Sequence, residues 1–402
     1  MTTSLFADVA LAPRDPILGI TEGFNADKRP TKVNLGVGVY LSEDGKIPVL
    51  QAVRDAEQER LQLTAPKGYL PIDGIAAYDD GVKTLLFGAD STLRKSGRIA
   101  TVQALGGTGA LKIAADFLYQ LNPGAKVLIS DPSWENHHAM FTRAGFAVES
   151  YPYYDPETHG VRFAAMKDKL SAAAPRSIVV LHACCHNPTG VDLGVGQWRE
   201  VVEIVRAKNL VPILDFAYQG FAEGINADAA ALKLFTTADI DFLVASSFSK
   251  SFSLYGERVG ALSIVAAESD EATRILSQLK RVIRTNYSNP PTHGAALVST
   301  ILNDPGRRAT WEKELGEMRD RIKSMREGLV KGLAERLPDR DFSFVSRQRG
   351  MFSYSGLNAG QVERLREEYA IYALATGRIC VAALNKKNLG YVCDAIAHVA
   401  KH

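Results

Sequence analysis

Short apolar runs alternate with amphipathic helical patterns through most of this chain, and this alternation constrains the fold more than any other feature. The runs are rich in Val, Ile, Leu and Ala, as strands buried on both faces are. Apolar strands joined by crossover helices predict an α/β fold with a mostly parallel sheet covered by helices. The predicted strands are 98–104, 126–130, 177–183, 211–216, 242–248 and 260–265, and the predicted helices include 108–121, 134–144 and 197–208.

The pattern changes after residue 305. A long helical stretch of alternating charge, 306–337, precedes predicted short strands at 341–345 and 351–354 and a final helix near the C-terminus. The chain has 402 residues, which exceeds the size at which one hydrophobic core usually stops growing. We therefore predict a second, smaller domain from residue 316 onward.

Charge and terminal composition argue against several functional classes. The chain carries 47 Lys and Arg against 45 Asp and Glu, and this near-balance gives no electrostatic reason to bind nucleic acid or an acidic membrane. The N-terminus lacks a basic region followed by an apolar core, and no segment offers about 18 uninterrupted apolar residues. We expect a cytoplasmic protein that is neither secreted nor embedded in a membrane.

Four cysteines are few for this length, and Cys184 and Cys185 are neighbours in an apolar strand, where a mutual disulfide would be strained. His182 and His186 flank the pair closely enough to raise the question of a zinc site. The spacing of the four cysteines does not make a zinc pattern, however. We expect reduced, buried cysteines that pack in the core, and no metal.

A lysine among hydroxyl side chains follows one of the predicted buried strands. The segment 246–258 reads SSFSKSFSLYGER, with Lys250 in its first half and Arg258 as its last residue. An amine delivered by a strand end, beside hydroxyls and an arginine, suits a reaction next to a bound phosphate. Lys250 is therefore a candidate nucleophile that forms a Schiff base.

Asp215 ends the apolar run 211–216 and therefore needs a partner, because an unpaired buried carboxylate is costly. It could cap a helix or form a salt bridge with a neighbouring loop. It could equally pair with the pyridinium nitrogen of a bound cofactor. The segment alone favours neither interpretation.

The segment 186–190 reads HNPTG and follows another predicted strand, so it makes a turn, with a cis peptide as one option. Asn187 in this turn would reach the strand ends beside Asp215. Its amide and the phenol of Tyr218 could both hydrogen-bond a cofactor oxygen. Taken alone, the segment is better explained as a turn.

A glycine-rich turn, 105–111, joins a predicted strand to a predicted helix. Backbone N–H groups at a helix N-terminus bind phosphate, and Thr108 beside Gly107 can add a hydroxyl, although glycines there also simply permit a tight turn. The turn does not match G-x-G-x-x-G, and neither does the segment 36–38. A nicotinamide dinucleotide site is therefore disfavoured.

Two arginines stand in unusual positions, although most arginines are solvated surface residues. Arg378 precedes an apolar strand, and Arg284 precedes a loop with two consecutive prolines. If either side chain faces a cleft, its planar guanidinium suits a carboxylate.

Together these segments resemble the class I aminotransferases among the fold type I pyridoxal-phosphate enzymes, in the branch that acts on aspartate and aromatic amino acids. The resemblance covers essentially the whole chain. Its further motifs are VNLGVGVY at 33–40, DPSWENH at 131–137 and SRQRGMF at 346–352.

The resemblance implies a role for each candidate residue. Lys250 would bind pyridoxal 5′-phosphate covalently and move protons, with Asp215 on the pyridinium nitrogen and His137 behind it. The phenolic oxygen of the cofactor would contact Asn187 and Tyr218, which also counts among the catalytic residues. The remaining assignments are Gly107, Thr108, Ser247, Ser249, Arg258 and the partner subunit's Tyr69 for the phosphate, Trp134 for the ring, and Gly38, Trp134, Asn187, Arg378 and the partner subunit's Arg284 for the substrate.

The resemblance also implies a domain organisation and a homodimer with shared active sites. Residues 1–13 would form an N-terminal arm on the partner subunit, 14–46 and 316–402 the small domain, and 47–315 the large domain that binds the cofactor.

The implied reaction is ping-pong transamination of tyrosine or phenylalanine with 2-oxoglutarate through pyridoxamine phosphate, with aspartate activity as well. The amino-acid sequences of segments 130–137, 252–258 and 348–354 most resemble those of bacterial aromatic amino acid aminotransferases. An aspartate aminotransferase, which makes oxaloacetate and glutamate, is the alternative. A pyridoxal-phosphate lyase or decarboxylase is a more distant one, against which Arg284 argues, since a second carboxylate clamp suits 2-oxoglutarate.

Overall fold

The computed structural model describes residues 4–12, 16–64 and 66–401, with only the backbone at 16–18. Its helices are α1 Pro16–Ala26, α2 Gln51–Gln62, α3 Ala76–Phe87, α4 Thr92–Lys95, α5 Gly106–Leu121, α6 Glu135–Ala144, α7 Phe163–Ser171, α8 Val195–Lys208, α9 Ile225–Asp228, α10 Ala230–Thr237, α11 Ser269–Asn286, α12 His293–Leu302, α13 Pro305–Arg336, α14 Phe344–Arg347, α15 Ala359–Tyr369 and α16 Leu389–Lys401. A short 3-10 helix spans Val381–Ala383.

Most of the strands belong to one large sheet. The strands are β1 Val33–Asn34, β2 Ile99–Leu105, β3 Lys126–Asp131, β4 Ala147–Pro152, β5 Tyr154–Asp155, β6 Gly160–Val161, β7 Ile178–His182, β8 Val211–Phe216, β9 Phe242–Ser247, β10 Val259–Val265, β11 Phe352–Tyr354, β12 Ile371–Tyr372 and β13 Arg378–Cys380. The large sheet has the order β2-β10-β9-β8-β7-β3-β4. Only β10 runs antiparallel to its neighbours, so the predicted mostly parallel α/β sheet is confirmed.

Two hydrophobic cores cover the two faces of this sheet. Successive strand residues point to opposite faces, so Ile213 belongs to one core and Leu214 to the other, and Leu243 and Val244 divide in the same way. Burial on both faces explains why these strands read as continuous apolar runs rather than as alternating ones.

The carboxyl ends of the parallel strands bring polar residues to one edge of the sheet. His182 and Ser247 are the last residues of β7 and β9, and Asp215 is the penultimate residue of β8. The antiparallel pair β2 and β10 completes the edge, because α5 begins at Gly106 directly after β2. Ligands of open α/β sheets bind at this edge.

The N-terminal and C-terminal segments pack together. Strand β1 pairs with β12, and β11 pairs with β13 beside the long helix α13 and the terminal helix α16. The strand predicted at 341–345 is wrong. The Asp341 carboxylate accepts a hydrogen bond from the Ser343 backbone N–H at 2.7 Å, which makes a turn, and the chain then enters α14.

None of the helices in the described part of the chain combines the length and the apolar character needed to cross a bilayer. The four cysteines are buried and free, as expected for core packing.

Candidate active site

A cavity of about 240 Å³ lies at the carboxyl edge of the sheet. Of the residues predicted for the site, the structure brings these to its wall: Gly38, Gly107, Thr108, Trp134, Asn187, Asp215, Tyr218, Ser247, Ser249, Lys250, Arg258 and Arg378. Five residues that were not predicted also line it: Leu111, His182, Ala217, Tyr255 and Phe352.

Lys250 lies in the turn after β9, with its Nζ 4.8 Å from the centre of the Tyr218 ring. Burial lowers its pKa from 10.5 to about 8, because a low-polarity environment disfavours the charged ammonium. The Asp215 carboxylate opposes this shift, and Arg258 adds to it. About a tenth of the amine is therefore neutral at pH 7, far more than for an ordinary lysine, and a proton-accepting lysine needs this neutral form.

Asp215 is held by a histidine rather than by a helix cap or a loop. Its Oδ2 lies 2.8 Å from His137 Nε2, and His137 Nδ1 lies 2.9 Å from the Ser133 hydroxyl. Burial alone would raise the pKa of Asp215, but the hydrogen bond to His137 and the Coulomb interactions with His137 and Lys250 outweigh it and lower that pKa. The carboxylate is thus kept ionised within the cavity wall.

His182 extends this histidine arrangement, and its role was not predicted. Its ring lies 5.0 Å from that of His137 and 4.3 Å from that of His186, and neither ring nitrogen has a hydrogen-bond partner in the described chain. Burial and the neighbouring His137 lower its pKa to about 3, so the ring is neutral at physiological pH. A sequence signal for His182 was available, because it lies near the carboxyl end of the predicted strand 177–183, where ligands of such sheets bind. In the structure it pairs in register with Asp215.

Hydrogen-bond donors collect at the other end of the cavity. Helix α5 begins at Gly106, which has φ 70°, and Gly107 and Thr108 of its first turn line the cavity together with Ser247 and Ser249. Arg258 donates to the Ser249 hydroxyl at 3.4 Å and to the Tyr255 carbonyl at 2.9 Å. A helix N-terminus, two hydroxyls and a guanidinium together form a site for an anion.

Arg378 is only 1% exposed and forms another part of the wall. Its guanidinium donates to the Gly36 carbonyl at 2.7 Å and to Asn187 Oδ1 at 3.4 Å, and its Nε has no partner in the described chain. The Phe352 ring covers the guanidinium, with 4.4 Å between Arg378 Cζ and the ring centre. A buried cation with free donor capacity suits a carboxylate ligand.

Tyr255 ties the Lys250 turn to the segment that carries Gly38. Its phenolic oxygen accepts a hydrogen bond from the Tyr40 backbone N–H at 2.9 Å. Tyr255 and Phe352 both lie inside motifs quoted above. A large aromatic residue is usually packed in the core, so nothing in the sequence marked their polar and cationic contacts.

Tyr69 and Arg284 do not line the cavity of this single chain. Tyr69 is 96% exposed, and Arg284 is exposed at the end of α11, where it donates to the Ser288 hydroxyl. The resemblance assigned both to the active site of a partner subunit, and their exposure agrees with that expectation without testing it.

A larger cavity, about 640 Å³, lies at the opposite edge of the sheet, beside the amino ends of β7, β8 and β9. Its walls are mostly apolar, and they contain neither the lysine nor the histidine-held aspartate described above. The smaller cavity is the better candidate, because it combines apolar walls with convergent polar groups of perturbed pKa.

The chain is similar to known proteins over almost its whole length. Residues 30–396 match the profile of the family described as "Aminotransferase class I and II". The aspartate aminotransferase of Pseudomonas aeruginosa is 63% identical over 396 residues, which are 98% of this chain and 100% of that protein.

Two solved structures are similar over almost their full length. The aromatic-amino-acid aminotransferase of Burkholderia pseudomallei, crystallised covalently bound to pyridoxal phosphate, has 67% identity and a TM-score of 0.97, with 99% of this chain and 100% of that chain covered. The aromatic amino acids aminotransferase of Psychrobacter sp. B6, cocrystallised with aspartic acid, has 43% identity and a TM-score of 0.98, with 99% and 100% covered.

The resemblance inferred from the motifs is therefore confirmed at the level of the family. Sequence profile, relatives and three-dimensional structure agree over nearly the whole chain, and this chain belongs to the class I and II aminotransferases.

Proposed function

We propose that this protein is a pyridoxal-phosphate-dependent aminotransferase that transfers the amino group of tyrosine or phenylalanine to 2-oxoglutarate and also accepts aspartate. One observation carries the proposal: Lys250, with its lowered pKa, shares a cavity with the ionised Asp215, the donor cluster around Arg258 and the buried Arg378.

The residues of the cavity fit pyridoxal phosphate. The donors at the start of α5, Ser247, Ser249 and Arg258 suit a phosphate, since this end of the cavity wall holds no carboxylate. A larger residue at 107 would crowd this end of the cavity, because its Cβ would come within 3.1 Å of the Ser247 Cβ, and Gly107 avoids that contact. At the other end Asp215 suits a protonated pyridine nitrogen, and Trp134 offers an aromatic face.

Each residue then has a defined task. The bound cofactor supplies an electron-poor ring that accepts the electron pair left when the α-proton departs. Lys250 Nζ takes that proton as a neutral amine and returns it as an ammonium. Asp215 would favour the protonated ring nitrogen, Asn187 and Tyr218 would hydrogen-bond the phenolic oxygen, and His137 orients the Asp215 carboxylate through its 2.8 Å bond.

Arg378 would bind the α-carboxylate that all amino acid and 2-oxo acid substrates share. Arg284 of the partner subunit would bind the second carboxylate of 2-oxoglutarate or aspartate. An aromatic side chain would require Arg284 to turn away, because a desolvated guanidinium facing an uncharged ring lacks a partner. The only side-chain hydrogen bond that the described chain gives Arg284 is to Ser288, so little holds it in one position.

The names of two similar proteins indicate different substrates. The Burkholderia pseudomallei protein is an aromatic-amino-acid aminotransferase at 67% identity, and the Pseudomonas aeruginosa protein is an aspartate aminotransferase at 63%. The aromatic aminotransferase of Psychrobacter sp. B6 was cocrystallised with aspartic acid. Dual use of aromatic and acidic substrates reconciles these names, with aspartate transamination as the second candidate function.

The proposal includes a homodimer and two domains. Leu5, Phe6, Val9 and Leu11 expose apolar side chains that an isolated chain would leave in water, and a partner subunit would cover them. Residues 14–46 and 316–402 would form the small domain, supported by the pairing of β1 with β12. Residues 1–13 would form the arm, of which 1–3 and 13 lie outside the described residues, and 47–315 the large domain.

Steady-state kinetics test the proposal. With 2-oxoglutarate as acceptor, kcat/KM for tyrosine and phenylalanine should exceed that for aspartate, which should still be measurable. Initial-velocity plots should give parallel lines, because one site serves both half-reactions. A higher value for aspartate would instead support the second candidate, and intersecting lines would contradict the ping-pong order. Lys250→Ala is the inactive control.

A further inference from the structure

Helix α13 carries a buried arginine that the mechanism above does not use. Arg326 is 3% exposed, and its guanidinium donates to the carbonyls of Gly350 at 2.7 Å, Val345 at 3.2 Å and Phe352 at 3.2 Å. A fourth hydrogen bond joins it to the Ser353 hydroxyl. All four acceptors belong to one short segment, 345–353.

Arg326 is unusual because it has no acidic partner. In the part of the chain that the structure describes, no carboxylate forms an ion pair with it. Burial lowers its pKa to about 10, which still leaves it charged at neutral pH. A buried charge without an ion-pair partner is costly, and here the acceptors of one segment compensate it, with a smaller contribution from the charge of Asp192 beyond ion-pair distance. The arginine therefore fixes the path of that segment more firmly than a neutral side chain could.

The segment that Arg326 holds leads into the cavity through Phe352. The Phe352 ring lies 4.4 Å from Arg378 Cζ, and its centre is 6.0 Å from that of the Tyr218 ring. Its Cζ also lies 3.3 Å from the position that a Cβ on Gly38 would take. Phe352 thus touches the arginine assigned to the substrate carboxylate and the glycine beside it, and a shift of its ring changes both.

We infer that Arg326 is a positioning residue for substrate binding, which holds Phe352 and through it the guanidinium of Arg378. The inference rests on the proposed function, because it takes Arg378 as the group that binds the α-carboxylate. Arg326 touches neither substrate nor cofactor in this arrangement. Its effect reaches the substrate through one aromatic ring.

Arginine is suited to this task in a way that lysine is not. Its planar guanidinium offers five N–H donors in a fixed geometry, whereas an ammonium offers three donors on a flexible chain. Arg326→Lys keeps the charge and most of the volume but cannot reach all four acceptors. The substitution therefore tests geometry rather than charge.

The experiment compares KM, kcat and cofactor affinity for the wild type and Arg326→Lys. KM should rise about tenfold, by the same factor for tyrosine, phenylalanine, aspartate and 2-oxoglutarate, because every substrate carries the α-carboxylate. The dissociation constant for pyridoxal phosphate and kcat should change less than about twofold. A crystal structure of the variant should show the Phe352 ring displaced from Arg378.

A stability control separates positioning from general destabilisation. Leu333→Ala removes a buried side chain from the same helix, which should lower the melting temperature while leaving KM unchanged. Ser353→Ala removes one acceptor without altering the arginine, and it should raise KM about twofold even if Arg326→Lys does not fold. In a double-mutant cycle, Phe352→Leu should remove most of the Arg326→Lys effect.

Different results of these experiments would contradict the role of Arg326 and the proposed function. Unchanged KM in Arg326→Lys or, where that variant does not fold, in Ser353→Ala overturns the inference, as does a KM increase confined to one class of substrate. An equal rise of KM in Leu333→Ala would reduce Arg326 to a structural residue. A wild type that does not transaminate would refute the proposed function instead, and the position of Phe352 in the crystal would still decide whether Arg326 holds it.

Discussion

The acidic and the hydrogen-bond-donating residues of the cavity lie at different ends of it. Asp215 lies behind one end, donors without a carboxylate collect at the other, and Lys250 stands between them with a lowered pKa. Asp215 could be predicted from sequence because it places a charge inside an apolar strand pattern, and Lys250 because it lies among hydroxyl side chains directly after another such strand. The contact of Phe352 could not be predicted, since nothing in the segment 346–352 indicates that its ring lies against a guanidinium. Its function depends on contacts between segments distant in sequence.

The lowered pKa of Lys250 predicts a pH-dependent loss of stability in the cofactor-free protein. The unfolded chain keeps the Lys250 proton up to pH 10.5, whereas the folded chain releases it near pH 8. The folded state therefore binds fewer protons between these values, and the free energy of unfolding rises with pH across that window. Below pH 8 burial of the ammonium destabilises the fold by about 3 kcal/mol.

Lys250→Met removes this ammonium. The cofactor-free variant should gain about 3 kcal/mol relative to wild type at pH 7, and this pH-dependent gain should disappear above pH 10.5. Urea unfolding of both proteins across this range measures the difference. Lys233→Met, at an exposed site, is the control and should give a difference that does not vary with pH. A constant difference for Lys250→Met as well would refute the lowered pKa.

At the level of secondary structure, six of the seven strands of the large sheet could be predicted closely. The predicted strand 211–216 is β8 itself, and the other five differ only at their ends, because burial on both faces leaves a continuous apolar signal. Strand β4 was not predicted, because it lies at the edge of the sheet and is mostly not buried, so it lacks that signal. The antiparallel direction of β10 could not be predicted, since it depends on how the Lys250 turn folds back. The prediction failed at 341–345, where apolar residues at 342, 344 and 345 imitate a strand but a turn at Asp341 starts α14.

The junction between β2 and α5 predicts a test of the phosphate site. Gly106 has φ 70°, and a Cβ there would overlap the Arg258 guanidinium. Gly106→Ala should therefore weaken pyridoxal phosphate binding by at least about tenfold, since strain and displacement of Arg258 both act on this site. Equilibrium titration with the cofactor measures the effect.

Gly256→Ala provides a matched control in the neighbouring turn. A Cβ at Gly256 would meet no atom within 4 Å, so cofactor affinity should stay close to that of the wild type. Equal loss of affinity in both variants would mean that the start of α5 has no special part in binding the phosphate.

At the level of the whole molecule, the proposed active site needs two chains. Tyr69 and Arg284 are exposed in one chain, although the family pattern assigns them to a site. Periodicity along the sequence cannot reveal a partner subunit, nor can it reveal that β1 joins β12 at the other end of the chain. Both features came only from resemblance to known enzymes, because they depend on contacts that no local pattern encodes.

Mixed dimers test the shared site. Lys250→Ala and Arg284→Ala should each be nearly inactive with aspartate and 2-oxoglutarate. After equal amounts are unfolded and refolded together, half of the dimers are mixed, and each mixed dimer has one site with both native residues. About a quarter of the wild-type activity should therefore return. Each variant refolded alone is the control, and no recovery in the mixture would place Arg284 and Lys250 in the same chain's site.

The central claim is that the cavity around Lys250 transfers an amino group in two separate half-reactions. The most direct measurement is the amount of 2-oxo acid released from tyrosine when the cofactor-loaded protein has no acceptor. We predict one equivalent per subunit and then no more, until added 2-oxoglutarate restores the protein for another equivalent, with no release by Lys250→Ala. Continuous release without an acceptor, or none before 2-oxoglutarate is added, would contradict the account.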